Sequence, residues 1–135
     1  MVNTIKLNTG PSVKDYNKVS EWLSFETPDK ILISSGKVDI GQHISTTLAL
    51  ISSRELEVDI NSITVKKLNT DVTPNEGITA SSLSVPNSGT AIRSASIIFK
   101  KSFLGFASKS LNINKNSLKL DDGIVKDLNS NASIS

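Results

Sequence analysis

Glu55-Leu56-Glu57-Val58-Asp59-Ile60 is the stretch on which the expected fold turns. Apolar and acidic residues alternate strictly along it. At a period of two, Leu56, Val58 and Ile60 face one way and the three carboxylates the other, which predicts a half-buried antiparallel strand. At Asn61-Ser62 the phase slips by one before Ile63 and Val65 resume, as at a bulge or where a strand turns a corner.

The same period recurs on both sides. Upstream, Ile31 and Ile33 alternate with polar neighbours, and Val38 and Ile40 do so after Ser35-Gly36. Ile44 to Ser53 reads as a further strand carrying Leu48, Leu50 and Ile51, closed by a turn at Ser52-Ser53-Arg54. Downstream, residues 69–77 form a loop rich in Asn, Thr, Asp, Pro and Gly. Ile78 to Val85 reads as a short strand ended by Pro86-Asn87-Ser88-Gly89, and Thr90 to Lys101 as a longer one with Ile92, Ile97 and Phe99. Phe103-Leu104-Gly105-Phe106 is a compact apolar cluster. Leu111 with Ile113, and Leu118 with Leu120, alternate again, and Asp121-Asp122-Gly123 is a hairpin turn into Ile124-Val125.

Near the N-terminus, Thr4 to Asn8 reads as a short strand broken by Gly10-Pro11. The single expected helix is Ser12 to Leu23, where Val13, Tyr16, Val19 and Leu23 fall at helical spacing and Ser12 caps with Asp15 three residues on. Thr27-Pro28-Asp29 ends it. The result is about eight to ten short strands with turn signals roughly every 8–12 residues, the mark of a β-sandwich or barrel. The expected fold is therefore all-β, mainly antiparallel, with at most one short N-terminal helix. It forms a single domain over 1–135 with polar, extended ends at 1–11 and 128–135.

Composition narrows the chemistry. The chain has 135 residues and no cysteine, which excludes disulfides, thiolate catalysis and the common zinc sites. Its aromatic residues are Tyr16, Trp22, Phe25, Phe99, Phe103 and Phe106. The first residues lack the pattern of a secretory signal, and no apolar stretch is long enough to predict a membrane span. Net charge is +2, but its distribution is uneven. Between Gly77 and Leu120 there is no acid, against Arg93, Lys100, Lys101, Lys109, Lys115 and Lys119, so that window is locally basic.

Catalytic motifs are sparse. Ser35-Gly36-Lys37 looks like the end of a phosphate loop, but Ile31 stands where that loop needs glycine. No nucleophile elbow or dinucleotide fingerprint occurs. His43, the sole histidine, follows Gly41-Gln42 and reads as a turn or strand-face residue, and it has no second histidine with which to hold a metal. Glu55, Glu57 and Asp59 read as a solvated strand face rather than a glycosidase pair, because aromatic platforms for sugar rings are scarce. Asp71, Asn75 and Glu76 offer oxygen ligands for calcium but lack the spacing of a calcium loop. No catalytic residue, metal or cofactor is expected, and the chain reads as a non-enzyme.

The one feature above background is a patch of Arg93, Phe99, Lys100, Lys101, Phe103, Phe106 and Lys109. Lysines beside aromatics suit docking onto an acidic protein partner or stacking of single-stranded nucleic acid. They equally suit core phenylalanines flanked by solvated lysines. In composition the chain is similar to small virion subunits such as phage head-decoration or tail proteins. That resemblance implies a structural or assembly subunit that docks onto copies of itself or an acidic neighbour, forming a homo-oligomer or larger assembly in the virion, or in the cytoplasm before assembly. The alternatives are a carbohydrate- or cell-surface-binding β-module using Trp22 with Tyr16, and a nucleic-acid-binding barrel using residues 99–106.

Overall fold

The computed structural model of the chain describes residues 6–7, 10–27 and 29–134. Most of the expected Thr4–Asn8 strand lies outside them. Two helices dominate: α2, Ile44–Leu56, and α3, Thr90–Leu111, the latter continuing out of a widened helical turn at Val85–Gly89. A short α1, Val19–Trp22, precedes them. Two small three-stranded sheets complete the fold. In the first, β1 (Leu23–Thr27) pairs antiparallel with β2 (Lys30–Ile33), and β2 pairs parallel with β3 (Ile63–Val65). A parallel neighbour needs a crossover, and α2 is that crossover. In the second, β4 (Leu118–Asp121), β5 (Ile124–Asp127) and β6 (Ser133–Ile134) form an antiparallel meander.

The all-β sandwich or barrel is thus overturned, and the reason lies in which residues are buried. On α2, Ile44, Leu48, Ser52 and Leu56 fall four apart and are all buried, with Ala49 and Ser53 beside them. On α3 the buried face is Ala91, Ile92, Ala95, Ser96 and Ala107. These are helical stripes built largely of alanine and serine, which leave little apolar signal to read.

The stretch Glu55–Ile60 is no strand. Glu55 and Leu56 close α2, and Glu57 terminates it in the left-handed region (φ 53°), its N–H returning to the Ser53 carbonyl. Asp59 then accepts from the Asn61 N–H at 2.7 Å to start a single tight turn, Ile60–Ser62. The alternation arises from a helix end and a cap in succession. Beyond the slip, Ile63–Val65 is a strand as the sequence predicts.

The expected Ser12–Leu23 helix is divided into a 3-10 turn at Pro11–Lys14 and α1, and Leu23 already belongs to β1. The strands expected at 44–53, 78–85 and 90–101 are helix or loop.

The first core lies between α2, α3 and the first sheet, around Trp22, Ile33, Leu48, Leu56 and Ile92. The second gathers Ala107, Leu118, Leu120 and Val125 under the C-terminal half of α3. A 22-residue helix is about 33 Å long, so α3 spans both cores. The two parts also meet where Asp122 N–H donates to the Glu57 carbonyl (2.9 Å) and Asp59 N–H donates to Asp122 Oδ1 (3.0 Å). Among the described residues, no helix is long and apolar enough to cross a membrane.

Candidate functional site

Two loops lead into the two long helices, and they are bound to each other. One is residues 34–43, between β2 and α2. The other is residues 74–84, before α3. Glu76 sits at their junction. Its Oε1 accepts from Ser12 Oγ (2.7 Å) and its Oε2 from Gly36 N–H (2.7 Å) and Ser35 Oγ (3.2 Å), while Ser88 Oγ lies 2.7 Å from both oxygens. In return, Lys37, almost fully buried, sends its Nζ to the carbonyls of Glu76 (2.7 Å) and Ile78 (2.8 Å). Buried polar groups must be paired or they cost stability, and here the pairing runs between segments. The backbones approach so closely that a Cβ on Gly36 would lie 2.0 Å from the Pro74 carbonyl oxygen.

The tip of the first loop satisfies itself. Gln42 turns back, its Oε1 accepting from Ile40 N–H (2.6 Å) and its Nε2 donating to the Val38 carbonyl (2.8 Å). Asp39 accepts from Gly41 N–H and Ser45 N–H, both at 3.1 Å. The Ser45 N–H, foremost, holds the Asp39 carboxyl below its ordinary value, against some desolvation. An acid therefore already occupies the positive end of α2. His43 takes a left-handed conformation (φ 57°) and is exposed, with no hydrogen bond to its imidazole among the described residues.

The tip of the second loop faces outward with its donors unused. Thr79 Oγ1 accepts from Val38 N–H at 2.8 Å, which leaves its own proton free. Ser81 and Ser82 are both left-handed (φ 56° and 55°) and exposed, and their hydroxyls make no hydrogen bond among the described residues. Non-glycine residues in this region are strained and cluster at functional sites. The helical backbone begins immediately afterwards, and widened turns like Val85–Gly89 also recur at such sites. Ile40 (76% exposed) and Ile78 (83%) flank the donors with uncovered apolar surface. A cavity of about 280 Å³ opens alongside, lined by Gly36, Val38, Thr70, Pro74 and Gly77 among others. The arrangement suits a group with anionic or hydrogen-bond-accepting atoms and an apolar face.

The sequence-derived patch lies elsewhere, entirely on α3. Arg93 Nε pairs with Glu55 (2.7 Å) and Lys100 with Glu57 (3.0 Å), so the acids at the end of α2 answer part of the basic window. Phe99 stacks on Phe103 (6.0 Å between centroids) and tilts against Phe25 (5.3 Å). These rings line a cleft of about 290 Å³ that shares Ile31, Val58 and Gly123 with a neighbouring cleft of about 450 Å³. Phe106, Lys101 and Lys109 point outward. The structure brings Phe99 and Phe103 together but strings the charged members along about 24 Å of helix.

Tyr16 and Trp22 form no exposed platform, because Trp22 is buried and its Nε1 donates to the Tyr16 carbonyl at 2.8 Å. Among the described residues, no cluster of three or more His, Asp or Glu could hold a metal. Sequence reasoning passed over Lys37, Glu76, Thr79, Ser81 and Ser82 as members of one site. The available signals were the Ser35-Gly36-Lys37 triplet and the acid-free run of small polar residues at 77–84.

Comparison with known proteins bears on this site. The sequence pattern of the family described as "Molybdopterin cofactor-binding domain" matches residues 1–135. Aldehyde oxidase 3 of Rattus norvegicus is 28% identical over 97 residues, which is 72% of this chain and 7% of that protein. A nicotinate dehydrogenase chain of Pseudomonas putida is 27% identical over 115 residues, 85% of this chain and 10% of that one. In fold, the chain is similar to the CO dehydrogenase of Oligotropha carboxidovorans, with a TM-score of 0.70 and 24% identity over 81% of this chain and 14% of that chain. The chain thus spans no more than about a tenth of the length of these curated relatives. These matches overturn the virion reading: the similarity to phage head-decoration and tail proteins, the structural or assembly role and the non-enzyme assignment all give way to oxidoreductase relatives. The virion resemblance rested on composition, and a Ser- and Asn-rich, aromatic-poor composition serves a domain of a larger protein equally well.

Proposed function

This chain belongs to the molybdopterin cofactor-binding domain family, and on that premise we propose that its two helix-entry loops form part of the wall of a molybdopterin site in a larger oxidoreductase. The observation that carries the proposal is the Lys37–Glu76 junction, which holds Thr79 against Val38 just ahead of the exposed, left-handed Ser81 and Ser82.

The residues present fit the group. Molybdopterin carries a phosphate, and an anion is favoured by free O–H donors near a helix start. The Glu76 carboxylate there is taken up by Ser12, Ser35, Gly36 and Ser88 and leaves the Thr79, Ser81 and Ser82 hydroxyls unengaged. Residues 77–89 contain no acid. The entry to α2 is the poorer choice, because Asp39 already accepts two of its N–H groups. The phosphate is therefore assigned to Thr79, Ser81 and Ser82. The exposed Ile40 and Ile78 supply apolar surface for the flat heterocycle.

When bound, the cofactor supplies the redox centre. The roles of this chain's residues are to bind and to exclude water. Thr79 donates a proton in a hydrogen bond, the serine hydroxyls fix the anionic end, and the isoleucines dry one face. Ile40 and Ile78 are 76% and 83% exposed on the two loops, and cover by another part of the enzyme would take that apolar surface out of water.

The test is retention of the cofactor. The chain is produced in cells that make molybdopterin, and bound pterin is measured by its fluorescence after oxidation. Pterin recovered with the chain, and reduced about tenfold or more in a Thr79→Val, Ser81→Ala double variant that melts normally, is expected from the loss of hydrogen bonds to a charged group. Equal recovery from both proteins contradicts the proposal.

A further inference from the structure

We propose that Lys37 and Glu76 are positioning residues for this site, holding Thr79 so that its hydroxyl proton is offered outward to an anionic oxygen. The inference rests on the reading of residues 79–82 as the anion-binding part of the site. Thr79 Oγ1 takes the Val38 N–H on a lone pair, so its O–H has to point away from Val38. Its direction is then only as well fixed as the backbone on either side.

Lys37 fixes one side. Its ammonium grips the carbonyls of Glu76 and Ile78, which bracket the left-handed Gly77 (φ 68°) and end one residue before Thr79. Among the described residues no carboxylate lies within 4 Å of Nζ, since the ion pairs formed are Arg93 with Glu55, Lys100 with Glu57 and Lys126 with Asp121. The lysine is spent on backbone geometry rather than on neutralising an acid. Glu76 fixes the other side. Its carboxylate joins the Ser12 turn, the Ser35–Gly36 bend and Ser88 at the start of α3. Val38, whose N–H orients Thr79, follows directly on Lys37. The donor and the group that orients it are therefore held by one reciprocal clamp.

A purely structural clamp would alter melting and leave the affinity of folded molecules unchanged. The experiment separates the two. The full chain, labelled for amide NMR, is titrated with inorganic phosphate at a temperature where every variant is folded. Saturable shifts are expected at Thr79–Ser82. Lys37→Met and Glu76→Gln are expected to weaken phosphate about tenfold, as is Thr79→Val, while Thr79→Ser, which keeps the hydroxyl, stays within about twofold. Thr79→Val is the mild variant that keeps the test open should either clamp variant fail to fold. Phosphate shifts at Thr79–Ser82 with the same dissociation constant in Lys37→Met or Glu76→Gln overturn the inference alone, whereas the same constant in Thr79→Val overturns Thr79's place in the site and the inference with it. Absence of any shift there in the unsubstituted chain overturns the site reading, and the inference with it.

Discussion

Ser52 on α2 and Ser96 on α3 meet Oγ to Oγ at 3.0 Å, both fully buried. The contact lies in the seam between the two helices whose leading ends carry the candidate site. Side chains this small let the helix backbones approach closely, and Gly89 extends the seam, since a Cβ there would lie 3.2 Å from Ile51 Cδ1. The seam thereby helps set how the two entry loops stand to one another.

Truncating either serine strands the other hydroxyl in the core. Ser52→Ala and Ser96→Ala are each expected to cost about 1–2 kcal/mol, and the double variant clearly less than their sum, with a coupling of about 1 kcal/mol. Urea unfolding of the four proteins measures it. Strict additivity would mean that the two hydroxyls do not interact.

Gly36 has no room for a side chain. A Cβ there would sit 2.0 Å from the Pro74 oxygen and 3.0 Å from the Glu76 nitrogen, both of them backbone atoms. Gly36→Ala is expected to destabilise by on the order of 3 kcal/mol and to separate the two loops. A melting temperature within a degree of the parent would contradict the close approach.

His43 works in the opposite direction. Its left-handed backbone costs about 1–2 kcal/mol relative to glycine, while a glycine adds about 0.4–1 kcal/mol of unfolded-state entropy. The exposed imidazole contributes no hydrogen bond to offset that difference. His43→Gly is therefore expected to stabilise the chain by roughly 0.5–1 kcal/mol in urea unfolding. A loss of stability would show that the ring makes a contact of its own.

Acid should weaken the fold through three aspartates. Asp39, Asp121 and Asp127 all have lowered pKa values, caused foremost by the Ser45 N–H, the Lys126 side chain and the Ser130 hydroxyl respectively. A depressed carboxyl contributes stability that is complete above its unfolded value near 3.8 and is lost as pH falls through the lower folded value. Thermal melting should thus be insensitive to these groups above about pH 5 and should fall below about pH 4. Asp39→Ala should flatten part of that fall, and an unchanged acid limb would contradict its role at the start of α2.

The legibility of the fold depended on how each element hides its buried face. The Leu118–Asp127 hairpin could be read because Leu118, Leu120 and Val125 are apolar and Asp122-Gly123 supplies two positive φ angles for the turn. Ile31 and Ile33, and Ile63 and Val65, were likewise readable as strands. The helices were hidden because Ser52, Ser53, Ser96, Ala91, Ala95 and Ala107 occupy core positions without adding apolar signal. The exposed Leu50 added a misleading alternation. The site was hidden for a different reason. The groups proposed to bind are hydroxyls, which no charged motif announces, and Lys37 and Glu76, which join the two loops, are 39 residues apart.

The measurement that bears most directly on the account is an amide NMR titration of the full chain with a pterin monophosphate. Shifts confined to residues 38–44 and 77–84 are the predicted result, with the largest at Thr79–Ser82. Shifts centred on the Phe25, Phe99 and Phe103 cleft, or none at all, would contradict the assignment of the cofactor to the two helix-entry loops.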